Sequence, residues 1–301
     1  MPDTITNARA ITRKVSSLSL YFNANDVEKP LTRKPIYHLG LIQYASAMIE
    51  ENRRLIWDGC VNARHLGGFR AEGQGMTREV ALIRSGNLSR LSAEGQTSVR
   101  QANVSAIIDV RSAYELKIEA NPFAISTQAS ALPIYHHLPL MNEDDLEAMR
   151  LVNTAPSLLP MYQVMLERFT VNIAGIMTAI ADASPGAVVV HCHAGKDRTG
   201  LVIALVLRLT GVSPEDIAQD YALSDLYLQS QYQEMLAQKT NLEERTILAS
   251  QLTSKPETMT NLLQHIEKYY GGVKAYLKFC GLQDETLDCL TQRMLEPVST
   301  P

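Results

Sequence analysis

Residues 187–200 read Ala-Val-Val-Val-His-Cys-His-Ala-Gly-Lys-Asp-Arg-Thr-Gly and decide the fold of this 301-residue chain. The β-branched run at 188–190 ends at His191, and an apolar segment starts after Thr199. This pattern predicts a buried strand, a tight loop and a buried helix. A helix N-terminus offers unpaired N–H groups and a partial positive charge, which suit a bound anion and a thiolate alike. The loop is therefore the first place to look for chemistry.

Cys192 and Arg198 are separated by five residues, so the loop can fold back and aim its backbone N–H groups and one guanidinium at a single point. Such a ring of donors forms a cradle for a phosphate group. The helix N-terminus and the nearby cations favour the thiolate form of a cysteine at the floor of the cradle. The residues predicted to bind phosphate are His193, Ala194, Gly195, Lys196, Asp197 and Arg198.

Neighbouring residues take supporting roles in this hypothesis. His191 can fix the loop by hydrogen bonds to backbone carbonyls, and the Thr199 hydroxyl can donate to the sulfur. Gly195 permits backbone torsions that a Cβ would penalise. Arg198 can bind two phosphate oxygens side by side, which lysine cannot do. Lys196 is expected to add a second positive charge at the rim.

A buried structural cysteine is the alternative interpretation of Cys192, since a free cysteine often behaves as a small apolar side chain. The spacing of the whole motif and its strand-to-helix context argue against it. The stretch resembles the Cys-x5-Arg signature of the protein tyrosine phosphatase superfamily. Its form, His-Cys-x-x-Gly-Lys-Asp-Arg-Thr-Gly, is similar to that of the bacterial tyrosine/phosphoinositide phosphatases.

Three further segments carry the same resemblance. Residues 62–68 are similar to the family's Asn-x-Arg-Asp-Leu-Gly-Gly, with His65 where the family has Asp. Residues 84–88 are similar to its Arg-Ser-x-x-Leu, and residues 109–115 to its Asp-Leu-Arg-Ser-x-x-Glu. The likeness extends over about residues 58–298.

The resemblance implies hydrolysis of phosphate monoesters through a phosphocysteine intermediate, with no metal or cofactor. The expected partner is a phosphorylated protein carrying phosphotyrosine, or phosphoserine and phosphothreonine, or a phosphoinositide. Lys196 and His193 would favour highly anionic headgroups. A catalytically idle phosphate-binding module and a sulfur- or arsenate-handling enzyme are the alternatives.

The general acid that protonates the leaving oxygen is not fixed by the motif. Many superfamily members supply it from a Trp-Pro-Asp loop, but the only tryptophan, Trp57, does not begin such a motif. Asp197 is the first candidate, because the resembling family places an Asp there. Asp109 is the second, since it ends a predicted buried strand where α/β sheets bind ligands; a structural ion pair with Arg111 is its alternative role. Asp144, in an acidic run, is the third.

The element pattern and the resemblance together predict an α/β fold with a central, mostly parallel sheet flanked by helices. Residues 1–54 are predicted to be an N-terminal extension with one helix, drawn over 35–57, and residues 55–301 the catalytic domain. A single helix is expected over 161–183. Residues 226–254 are expected to form one or two polar-faced helices, either a lid over the pocket or plain surface helices, and the tail to form three helices separated by glycine breaks.

Composition limits the remaining classes of function. The net charge of −4 and the pI near 6.0 give no reason to propose nucleic-acid binding. The four cysteines show no metal-ligand spacing, and the chemistry needs Cys192 reduced, which favours the cytoplasm. Secretion without a conventional signal peptide is the alternative. No apolar run reaches membrane-spanning length.

Overall fold

The computed structural model describes residues 52–124 and 133–296, all within the compact unit Met48–Pro301. Seven strands occur in this part of the chain. They are β1 (Arg64–His65), β2 (Arg70–Ala71), β3 (Gly75–Met76), β4 (Leu82–Ser85), β5 (Val104–Asp109), β6 (Ile134–His137) and β7 (Ala187–His191).

Five of these strands form one sheet in the order β1-β4-β7-β5-β6. Strands β4, β7, β5 and β6 run parallel, and the short β1 is antiparallel to β4 at the edge. The register aligns Ser85 and Asp109 with His191, so three strands end together directly before Cys192. The predicted α/β fold with a mostly parallel sheet is confirmed.

Eleven helices surround the sheet in the described residues. They are α1 (Ala93–Gln101), α2 (Ala113–Ile118), α3 (Leu146–Asn153), α4 (Leu158–Arg168), α5 (Thr170–Asp182), α6 (Asp197–Leu209), α7 (Pro214–Ala237), α8 (Leu242–Leu252), α9 (Pro256–Tyr270), α10 (Val273–Phe279) and α11 (Asp284–Met294).

The central strand β7 packs apolar side chains on both faces of the sheet, as its run of valines predicts. Val188 and Val190 join the larger core cluster, which includes the buried side of α6. Val189 points the other way, into a smaller cluster around Trp57. The two clusters fix β7 and α6, and with them both ends of the loop between.

Two predicted helices differ from the structure. The segment expected as one helix over 161–183 is two helices, α4 and α5, bent by 82° at Phe169. The Phe169 backbone leaves the helical region, and its side chain is buried in the core. The helix drawn over 35–57 lies mostly outside the described residues, but it does not reach Trp57, because Arg54 already forms an isolated bridge with Arg64.

The helices predicted after the loop are confirmed. Ser213 caps α7 with Pro214 at its first position, and the tail forms α9, α10 and α11. Residues 226–254 fall on α7 and α8, and α8 buries none of its side chains.

Among the described helices, none alone is long and apolar enough to cross a membrane. Helices α4 and α5 reach the required length and apolar composition only as a pair, across their bend.

Candidate active site

The loop between β7 and α6 is held from outside through its carbonyl groups. Asn62 Nδ2 donates to the carbonyl oxygens of Ala194 and Gly195 at 3.0 and 3.1 Å. Arg84 Nη2 donates to those of Gly195 and Lys196 at 2.7 and 3.3 Å. The carbonyl and N–H of a trans peptide unit point in opposite directions. Anchoring the carbonyls to the scaffold therefore turns the N–H groups of the loop inward.

The carbonyls of His193 and Cys192 are also held by residues around the loop. The backbone N–H of Asn87 donates to the His193 carbonyl at 2.8 Å, and His191 Nδ1 lies 3.2 Å from the Cys192 carbonyl. Within the described chain, the N–H groups of residues 193–198 donate to no protein acceptor. They are free donors at the N-terminus of α6, where a helix end can bind an anion.

Gly195 is required by the tight path of the loop. Its φ is +69°, a left-handed conformation that favours glycine. A Cβ added there would lie 2.2 Å from the Ser85 carbonyl oxygen. The structure thus supports the conformational reason for glycine at this position.

A buried cluster of charges supports the two residues that hold the loop. The Asp220 carboxylate binds Arg53, Arg64 and Arg84 at 3.0, 3.0 and 2.8 Å, and all four side chains are buried. Arg64 also donates to the Asn62 side chain. Burial lowers the pKa of Arg64 to about 10, against the opposing effect of Asp220, so its guanidinium stays charged. Three cations share one carboxylate, which leaves net positive charge directly behind the cradle.

Cys192 follows the end of β7 and is only 3 % exposed, as a group at the floor of a cradle would be. Arg198 follows at the N-terminus of α6. Burial acts to lower the pKa of Arg198, but the hydrogen bonds that it donates to Glu115 and its electrostatic interactions with Cys192, Glu115 and Asp197 raise it above its usual value. The guanidinium is therefore permanently charged.

Glu115 orients Arg198 through a bidentate ion pair. Arg198 Nη1 and Nη2 donate to the two carboxylate oxygens at 2.5 and 2.8 Å. Glu115 is itself fixed by the capping box of α2, in which it accepts from the Ser112 N–H at 2.9 Å. Burial acts to raise the pKa of Glu115, but Arg198 and Ser112 outweigh it and lower the pKa to about 2.

Asp197 is the half-exposed carboxylate of the loop. Its Oδ1 accepts from the Tyr162 hydroxyl at 2.5 Å, and that hydroxyl also contacts the Tyr221 hydroxyl at 2.8 Å. Both phenols are buried. Burial, followed by the charge of Asp197, raises the pKa of Tyr162 well above its usual value, so Tyr162 keeps its proton and acts as the donor.

Lys196 is not at the rim, contrary to the expectation from sequence. Its side chain is 2 % exposed, and its ammonium donates to the Gln251 and Leu252 carbonyls at 2.7 and 3.0 Å. These carbonyls end α8, where a helix attracts cations. The Asp197 carboxylate lies 3.5 Å away. The ammonium thus links the loop to α8 instead of facing solvent.

Asp109 lies in the buried ion pair with Arg111 that the sequence left open as its alternative role. Arg111 donates through Nε and Nη2, with Nη2 2.7 Å from Oδ2, and the Tyr135 hydroxyl donates to Asp109 at 2.9 Å. Burial acts to raise the pKa of Asp109, but the interaction with His191 and the hydrogen bonds and charge of Arg111 lower it to about 2. Asp109 is fully buried and ionised.

His191 and Thr199 lie on either side of the loop, as the motif requires. His191 is fully buried, and burial lowers its pKa. Asn121 Nδ2 lies 3.0 Å from His191 Nε2, which assigns the ring proton to Nδ1 and directs it to the Cys192 carbonyl. The buried Thr199 hydroxyl has no hydrogen-bond partner among the described residues.

His65, which stands where the family has Asp, makes a local hydrogen bond. Its Nδ1 accepts from the Gly67 N–H at 3.2 Å, so the imidazole supports the turn before β2.

In the described segments, no group of three or more His, Cys, Asp or Glu side chains is arranged to hold a metal ion.

Comparison with known proteins identifies the family. A sequence model of the tyrosine phosphatase family matches residues 55–296. The chain belongs to the tyrosine phosphatase family. It is similar to a tyrosine-protein phosphatase of Nostoc commune, with 27% identity over 71% of this chain and 74% of the relative.

Two further relatives agree. A putative tyrosine-protein phosphatase of Cupriavidus necator is 27% identical over 78% of this chain and 86% of its own length. The triple specificity protein phosphatase PtpB of Mycobacterium tuberculosis is 26% identical over 69% of this chain and 88% of its own. The family and these names support phosphatase activity on phosphorylated substrates for this tyrosine phosphatase.

Several residues that build the site were not predicted as site residues. Glu115 had a signal, since Ser112 and Glu115 stand at capping-box spacing before a helix. Asn62 and Arg84 lie in segments that carried the family resemblance. Asp220 and Tyr162 had no signal, because a helix sequence does not reveal which distant loop one of its faces will meet.

Proposed function

We propose that this tyrosine phosphatase hydrolyses phosphate monoesters, phosphotyrosine above all, through a phosphocysteine intermediate on Cys192. The observation that carries the proposal is the loop itself, whose carbonyls are bound by Asn62 and Arg84 while its N–H groups stay free. A cradle built in this way stabilises the equatorial oxygens of a phosphoryl group without reorganising during the reaction. The Arg198 guanidinium, oriented by Glu115, adds two donors at the same point.

In the first step, the Cys192 thiolate attacks phosphorus as the bond to the ester oxygen breaks. The loop amides and Arg198 hold the three equatorial oxygens, which carry the spread charge of a loose transition state. Asp197 gives its proton to the departing oxygen. In the second step, water attacks phosphorus, Asp197 takes up one proton, the phosphorus–sulfur bond breaks and inorganic phosphate leaves. The Thr199 hydroxyl, which has no other described partner, donates to the departing sulfur.

Asp197 is favoured over Asp109 as the general acid because Asp197 is more exposed and because Asp109 is held in an ion pair. Asp197 is 32 % exposed and beside the cradle, where a leaving group can reach it. Asp109 is fully buried, and its low pKa keeps it ionised in its pair with Arg111.

Substrate breadth belongs to the same proposal. The Mycobacterium relative carries triple specificity in its name, which supports testing phosphoserine, phosphothreonine and phosphoinositides beside phosphotyrosine. The sequence favoured phosphoinositides through Lys196 at the rim and through His193, but the Lys196 ammonium is engaged by α8. Of these two side chains, His193 is the exposed one. Phosphotyrosine in proteins is therefore the favoured substrate.

The test of this function is to trap the intermediate. The protein is mixed with a phosphotyrosine peptide, quenched in acid within milliseconds and digested for mass spectrometry. We expect phosphoryl on Cys192 in the wild type and none in Cys192→Ala. Turnover with phosphoryl on another residue would overturn the phosphocysteine route, and neither turnover nor label would favour the idle phosphate-binding module.

Asp197→Asn is expected to slow the enzyme according to the leaving group. An alkyl phosphate, whose leaving oxygen needs a proton, should lose about 10²–10⁴-fold in kcat/KM, the usual contribution of a general acid. p-Nitrophenyl phosphate, with a stable phenolate, should lose far less. The matched variant Asp144→Asn alters the exposed third candidate. Equal losses on both substrates for Asp197→Asn, or the leaving-group dependence in Asp144→Asn instead, would refute this role for Asp197.

A further inference from the structure

A cavity lies between α7 and α8. Its volume is about 450 Å³, within the range of roughly 300–1,000 Å³ typical of ligand pockets. Leu252 lines it and also gives its carbonyl to the Lys196 ammonium. Leu252 therefore connects the wall of this cavity to the loop by one hydrogen bond, and we call the cavity the α7–α8 chamber.

Tyr232 contributes an unused donor to the α7–α8 chamber. Its hydroxyl is buried and has no hydrogen-bond partner in the described part of the chain. Burial and the negative charges of Asp197 and Asp225 raise the pKa of Tyr232 well above its usual value, so the hydroxyl stays protonated. A buried donor without an acceptor is costly, and a bound substrate would supply the missing acceptor.

The charges of the α7–α8 chamber select against polyanions. None of its nine described lining residues is Lys, Arg or His. The Lys196 ammonium, which binds the carbonyl of the lining residue Leu252, is already engaged by two helix carbonyls. Asp225 is the acidic residue of the lining. A second phosphate on the substrate would meet the carboxylate of Asp225 and no cation among these lining residues.

The remaining lining suits a peptide. Leu226, Leu236 and Leu252 offer apolar surface, while Gln229 and Gln233 offer neutral amides. A polypeptide beside a phosphotyrosine carries no charge on its backbone and presents carbonyl acceptors and apolar side chains. Both features complement this lining, whereas an inositol ring with several phosphates complements neither.

We propose that the α7–α8 chamber is a substrate subsite for the peptide flanking the phosphorylated residue, in which the Tyr232 hydroxyl donates a hydrogen bond to a peptide carbonyl. This inference rests on the proposed function, since it assigns the part of the substrate that lies beyond the phosphate. It makes Tyr232 a determinant of substrate choice rather than of the chemical step. The phosphoinositide is the competing class.

The test compares three substrates of the full chain: a phosphotyrosine peptide, p-nitrophenyl phosphate and soluble dioctanoyl phosphatidylinositol 4,5-bisphosphate. We expect wild type to prefer the peptide to the lipid by more than about tenfold in kcat/KM. Tyr232→Phe should lower kcat/KM for the peptide by about three- to tenfold, the worth of one hydrogen bond, and leave p-nitrophenyl phosphate unchanged. Its Tm should not fall, because the lost hydroxyl had no described partner.

Two further variants complete the design. Gln229→Lys places a cation in the chamber and should shift the kcat/KM ratio towards the lipid. Tyr269→Phe, at a phenol 63% exposed on α9, is the matched control and should change no rate. A wild-type preference for the lipid, or a Tyr232→Phe effect that is nil on the peptide or equal on all substrates, would overturn the subsite.

Different experimental results would contradict the subsite and the proposed function. Absence of any hydrolysis by the wild type, p-nitrophenyl phosphate included, would contradict the function alone. Peptide binding measured by calorimetry in the Cys192→Ser background then decides the subsite. A Kd raised about three- to tenfold by adding Tyr232→Phe supports it, and an unchanged Kd rejects it.

Discussion

Cys192→Ser is expected to lower hydrolysis of p-nitrophenyl phosphate by at least about 10⁴-fold, because a serine hydroxyl beside the cradle has no base that could activate it as the thiolate is activated. The change removes the nucleophile and leaves the loop intact, since the bonds from Asn62 and Arg84 go to backbone carbonyls. Inorganic phosphate should therefore still bind. Initial rates and calorimetric titration with phosphate measure the two effects separately.

The structure supplies a matched control for this loss. Cys289 is an exposed free cysteine, so Cys289→Ser makes the same chemical change away from the loop and should leave the rate unaltered. Cys60 is a second cysteine outside the loop, and it stays a thiol because burial raises its pKa to about 12. Substantial activity in Cys192→Ser would mean that the nucleophile has been misassigned.

Arg198→Lys is expected to cost about 10²–10³-fold in kcat/KM, the scale measured for removing one oxyanion donor. Lysine keeps the charge but cannot place two donors on the phosphate while two others hold Glu115. In the structure, Arg198 holds Glu115 through a bidentate ion pair, in which Nη1 and Nη2 donate at 2.5 and 2.8 Å. The Glu115 carboxylate, which Arg198 pairs with in the wild type, would compete with the phosphate for the single ammonium of the lysine.

Kinetics of Arg198→Lys on p-nitrophenyl phosphate, with phosphate inhibition measured in parallel, check this expectation. The control is Arg150→Lys, since Arg150 also pairs with a carboxylate through two nitrogens but is exposed on α3. An exposed pair of this kind contributes little, about 0–1 kcal/mol. If Arg198→Lys retained wild-type kcat/KM, charge alone would be sufficient at position 198 and the guanidinium geometry would be irrelevant.

Residues that act in the same loop were the most predictable part of the site. Cys192 and Arg198 are close in sequence, and the run of valines before them and the apolar helix after them have short-range periodicities that a sequence displays directly. Gly195 was predictable for the same reason, since a tight turn requires a left-handed residue. The α/β architecture followed from these periods, from the buried strand at 104–109 and from the edge strand at 134–137.

Roles that depend on distant partners were predicted less well. Lys196 was expected at the rim because its charge stands next to the motif, but the end of α8, 55 and 56 residues further along, captures its ammonium. Asp109 could have been an acid or half of an ion pair, and the packing of Arg111 and Tyr135 against it favours the pair. Neither outcome can be read from the residues beside them.

The sequence by itself determined a strand, a tight loop and a helix, and with them the resemblance to the family, because each follows from the identity and spacing of neighbouring residues. Only the tertiary structure decided what holds that loop: Asp220 meets Arg64 across 156 positions, and Glu115 meets Arg198 across 83. Such contacts depend on how whole helices pack on the sheet. Packing is a property of many side chains at once, and no single segment encodes it.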